Sequence, residues 1–120
     1  IRALVEQAFG GLDIEQVTDI RDRFVDSFYF GCEADDRTTA FAFSPANAFG
    51  SSLRAVLSSD ISHWDVRNMD RVLPHAHSLV TEGLLTADQF ADFAFRNPYR
   101  LHTGVNPRFF DGTVLDGVTI

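Results

Sequence analysis

Apolar residues fall at Ile14, Val17, Ile20, Phe24 and Phe28, in steps of three and four. They stand behind a D-x-x-Q pattern at Asp13 and Gln16 that can close a helix N-terminus, so a helix is expected from about Ile14 to Asp26. The aromatic run FYFGCEADD (28–36) ends in Gly, Cys and acids, as expected of a buried strand that stops at a polar rim. RTTAFAFS (37–44) alternates too briefly to separate helix from strand, and SPANAFGSS (44–52) is a loop by composition. LRAVLSSD (53–60) reads as a second buried strand. Asn68 then caps an expected helix with apolar positions Met69, Val72, Leu73, Ala76 and Val80, which Gly83 stops. Thr86 and Gln89 form another capping pattern, with Leu85 and Phe90 placed as a hydrophobic staple. That helix carries Phe90, Phe93 and Ala94 and is expected to end near Asn97. Asn97-Pro98 and Asn106-Pro107 each predict a short helical turn, since proline suits a first helical position.

Two buried strands separated by some 15 to 20 residues are most simply parallel, because an antiparallel pair needs only a tight turn. Both then end on one side, and their polar ends, CEADD and SSDISHWD, share a rim. Chemistry in α/β proteins collects at such strand ends.

Composition narrows the partners. Ten cations face 17 acids for a formal charge of −7, and all ten are arginine. Such a field repels phosphate backbones and anionic lipid, so neither nucleic acid nor a membrane surface is expected as a partner. The absence of lysine excludes a Schiff-base or P-loop lysine within this chain. A hydrophobic content of 45% with 12 Phe suffices for one domain over residues 1–120. A lone Cys32 in an apolar stretch reads as a small buried hydrophobe, unreactive towards mild thiol reagents, in a reducing compartment. Without an 18-residue apolar run or a signal-peptide pattern, a soluble cytoplasmic protein is expected. Beginning at Ile1, the chain reads as a piece of something longer.

Among chemistry-bearing residues, His75 and His77 form a His-x-His inside a helical pattern. Residues two apart on a helix are turned by roughly 200° and do not share a metal, so both are read as flanking solvent-side residues. Asp60 follows directly on an apolar strand. There it is desolvated on one side, and either a cation or nearby backbone amides must hold it. His63 fits a substrate or metal contact, or packing beside Trp64. Asp65 reads as a turn or capping residue, and Glu33, Asp35 and Asp36 either as contributors to a site or, more commonly for such a run, as a solvated loop partly paired with Arg37.

The runs GCEADDRTTAFAF (31–43), SSDISHWDVRNM (58–69), GLLTADQFADFAFRNPYRLH (83–102) and NPRFFDGT (106–113) together resemble the C-terminal part of the amidohydrolase superfamily. The similar branch is the amidohydrolase-related group that includes decarboxylases of aminocarboxymuconate semialdehyde and of aromatic acids. The resemblance covers roughly residues 24–113 and is most specific at SSDISHWD and NPYRLH. It implies the last two strands and following helices of a metal-dependent hydrolase (β/α)₈ barrel, with Asp60 at the end of the eighth strand as metal ligand and proton shuttle. It further implies a divalent ion, Zn first with Mn as alternative, and a small carboxylate-bearing or cyclic substrate contacted by His63 and Trp64. The remaining ligands of such a site, including a strand-borne His-x-His, belong to upstream strands, and a barrel takes about 250 residues. The segment alone is therefore expected to be inactive, its strand edges covered by rearrangement or by another copy in a homo-oligomer. The alternative is a non-catalytic acidic α/β module whose Phe90, Phe93 and Phe95 form an interaction surface.

Overall fold

The computed structural model of the chain describes residue 11 and residues 14–120; the expected cap at Asp13 lies outside them. Helix α1 spans Val17–Ser27 and starts from Gln16. The Asp19 carboxylate accepts the amide N–H groups of Glu15 and Gln16 at 2.8 and 2.9 Å, satisfying donors that a helix start leaves open. These amide hydrogen bonds hold the Asp19 carboxyl below the ordinary carboxylate range, Gln16 contributing most. The apolar stripe of α1 has the predicted spacing, yet Val17, Phe24 and Phe28 remain 61%, 45% and 52% exposed.

Strand β1, Tyr29–Glu33, and strand β2, Arg54–Ser58, pair in parallel, with Tyr29 opposite Arg54 and Glu33 opposite Ser58. The crossover between them, left open between helix and strand, is helical, though wound more tightly than an α-helix. Arg37–Phe43 winds as a 3-10 helix, with the Asp36 carboxylate accepting the Thr38 amide, and buries Thr39, Ala42 and Phe43. Alternation along the strands turns Cys32, Ala55 and Leu57 towards the core and Arg54, Val56 and Ser58 to the opposite face. The Arg54 guanidinium lies over the Tyr29 ring and also holds Asp26 at the end of α1 at 2.8 Å.

Helix α2, Val72–Thr81, buries Val72, Ala76 and Leu79, and Gly83 takes a φ of 73° just beyond it, as a left-handed helix stop requires. Its start departs from expectation. Asn68 makes no capping hydrogen bond, and a 3-10 turn, Met69–Arg71, precedes the helix, leaving Met69 and Leu73 on the solvent side. The Thr86–Gln89 capping box forms as read, opening α3, Ala87–Ala91. No break occurs at Asn97. A π-helical stretch, Asp92–Arg96, carries the chain directly into α4, Asn97–Val105, with Pro98 in its first turn. Pro98 has no N–H and its ring crowds the carbonyl four residues back; the wider π turn, closed by Asn97 N–H to Asp92 O, lets the helix continue.

The core gathers Ala42, Phe43, Ala55, Ala76, Leu79, Leu85 and Phe93 between one sheet face and the helices. Phe93 is fully buried, which removes it from the interaction surface expected of Phe90, Phe93 and Phe95; its ring is core. No helix among the described residues is long and apolar enough to cross a membrane.

Candidate metal centre at the strand ends

Beyond Ser58 the chain leaves β2 through a series of tight turns. His63 N–H donates to Asp60 O at 3.1 Å, Val66 N–H to His63 O at 3.2 Å, and Arg67 N–H to Asp65 O at 3.0 Å. Asp60 sits at φ 50° and Ser62 at φ 90°. Aspartate tolerates this left-handed region through its short polar side chain, whereas serine adopts it less readily. The first turn folds residue 63 back over residue 60, so that His63 Nδ1 lies 2.9 Å from Asp60 Oδ2. The Asp60 side chain is only 24% exposed, and among the described residues His63 is its one polar side-chain partner. Of the two alternatives open from sequence, bonding to neighbouring amides is therefore not the one adopted.

Asp65, expected to be a turn or cap residue, completes a group. One ligand atom each from Asp60, His63 and Asp65 lies within 4.8 Å of the others. The signal was in the spacing, since D-x-x-H-x-D places three donors within six residues, but only a chain that turns at Asp60 and Ser62 brings them together. Donors bound to one Zn at about 2.0–2.2 Å stand no more than about 4.4 Å apart, a spacing of the same order as that of this group. His63 and Asp65 are exposed, which leaves their side chains room to adjust. Two carboxylates and one imidazole form a donor set suited to Zn or Mn, with the remaining positions left to water or further groups.

Beside this group is a recess of about 290 Å³, lined in part by Glu33, Asp35, Asp60, Asp65, Arg67 and His75. The acids at and just beyond the end of β1, Glu33 and Asp35, thus do share a rim with the residues that follow β2. His75, read as a flanking residue, reaches the recess, while His77 stacks edge-on against Phe90 at 5.3 Å. Helical spacing separates the two imidazoles as expected. Trp64 stands outside the recess with 89% of its surface exposed, and His63 touches Asp60 without lining the recess. Cys32, half-buried on β1, directs its thiol to the Phe30 carbonyl at 3.6 Å.

Compared with known proteins, the chain matches no family model, no curated protein and no solved structure.

Proposed function

We propose that the chain is the C-terminal segment of a metal-dependent hydrolase of amidohydrolase type, or of a related decarboxylase, acting on a small carboxylate-bearing or cyclic substrate. The observation that carries this reading is the convergence of Asp60, His63 and Asp65 at the rim where two parallel strands end. Asp60, His63 and Asp65 are the residues that would hold the ion, Zn in preference to Mn. A divalent ion at such a place supplies Lewis-acid activation of water near neutral pH. The chain's own contribution is positional and protonic. His63 orients the Asp60 carboxylate through Nδ1, and Asp60 Oδ2 is the atom that takes and returns the proton.

Calorimetric titration with Zn²⁺ tests the assignment. Asp60→Asn should weaken binding at least tenfold while leaving the near-ultraviolet circular dichroism unchanged, since asparagine accepts the same left-handed backbone. Equal Zn²⁺ affinity in the variant rules the reading out.

A second reading, an association module without catalysis, draws on exposed aromatic surface elsewhere: Phe41 is 70% and Phe49 54% exposed. It expects self-association that is indifferent to Asp60→Asn.

A further inference from the structure

Among the described residues most arginines are engaged. Arg21, Arg37, Arg54, Arg96, Arg100 and Arg108 each pair with a carboxylate. Arg67 pairs with none among the described residues, although it lines the same recess as Glu33, Asp35, Asp60 and Asp65. Asn68, beside it on the recess wall, likewise makes no side-chain hydrogen bond. Two adjacent donors without partners thus look into a space next to the candidate metal ligands.

We propose, resting on the metal reading above, that Arg67 is the residue that recognises the carboxylate of the substrate, with Asn68 as its auxiliary donor. A planar guanidinium presents two parallel N–H groups that match a carboxylate, a fit that lysine or a lone amide lacks. The recess volume of about 290 Å³ admits one small ring or a short chain, so a substrate held at Arg67 has its other end at the metal group. Four carboxylates against one guanidinium make the empty recess repel an anion. A divalent ion at Asp60, His63 and Asp65 removes most of that repulsion, so carboxylate binding depends on prior loading with metal. Linkage then requires the carboxylate to tighten metal binding by the same factor.

The experiment is calorimetric titration of the protein with benzoate, before and after saturation with Zn²⁺. Benzoate should bind the Zn²⁺-loaded protein at least tenfold more tightly than the metal-free protein, and saturating benzoate should tighten Zn²⁺ by a matching factor. Arg67→Gln should weaken benzoate at least tenfold with Zn²⁺ still bound. Arg71→Gln removes an exposed arginine outside the recess lining and should change neither titration. Benzoate binding that is absent, or equal in Arg67→Gln, overturns the assignment, as does preferential uptake of benzylammonium, which carries the opposite charge on a similar frame. If Zn²⁺ binds the parent and Asp60→Asn equally, the metal reading falls. Arg67 as the recognition residue falls with it only if the metal-free protein also shows no benzoate binding sensitive to Arg67→Gln.

Discussion

Asn97 is 6% exposed, and its Nδ2 donates to the carbonyl of Ala55 at 2.9 Å. The bond joins the start of α4 to the strand that leads to Asp60, so one side chain ties the last helix to the element carrying the candidate site. Asn97→Ala leaves a buried carbonyl without its donor, at a cost of about 1–3 kcal/mol. Urea denaturation should show the midpoint falling with an unchanged slope; an unchanged midpoint would mean that water replaces the amide without penalty. Asparagine before proline reads as a helix boundary, a boundary that the continuous helix here does not have. The side chain's actual partner, 42 residues away, was not legible, because nothing local encodes which carbonyl faces it. The same division runs through the site. A carboxylate at the end of an apolar strand can be read directly. The pairing of Asp60 with His63 and the nearness of Asp65 depend on positive φ at Asp60 and Ser62, and serine carries no propensity that announces it.

At the scale of elements, local chemistry predicted the most where it closes on itself. The Thr86 amide donates to Gln89 Oε1 at 2.8 Å, and the Gln89 amide to Thr86 Oγ1 at 3.1 Å, as the T-x-x-Q spacing implies. Thr86→Ala removes the hydroxyl acceptor and should cost about 1 kcal/mol, within the range of about 0.5–2 kcal/mol for N-cap losses. Faster amide exchange confined to α3 and the π stretch would accompany it, and exchange unchanged there would count against the cap. The π stretch itself was hidden from sequence reading. Proline normally argues for a helix end, and here that rule loses to packing: Phe93 and Asn97, four residues apart, are both buried, so the helix gains more by continuing than by stopping. Arg96 reinforces the same turn, its guanidinium held by Asp88 at 2.7 Å and Asp92 at 2.9 Å, hydrogen bonds that raise its pKa further.

At the scale of the whole molecule, the two parallel strands were legible from crossover length alone, but what surrounds them was not. Parallel sheets are ordinarily covered on both faces, whereas here the helices and the 3-10 crossover pack on the face of Cys32, Ala55 and Leu57. Large apolar side chains stay in water elsewhere. Val17, Ile20, Phe24 and Phe49 border an apolar groove of about 330 Å³ between α1 and the loop before β2. Phe49 is 54% exposed at a φ of 60°, a conformation that bulky residues rarely hold. Apolar surface of this kind lowers the free energy of association roughly in proportion to the area removed from water. Homo-oligomerisation is the expected outcome for the isolated chain, with weight-average mass in sedimentation equilibrium rising over the micromolar range. Phe49→Asn makes the cause separable, since asparagine accepts a left-handed backbone without strain while deleting the exposed ring. That variant should be less associated at equal concentration and no less stable to urea. A parent chain whose mass stays constant with concentration, or a variant that associates as strongly, would place the groove outside any contact between copies and leave the exposed ring without a role in assembly.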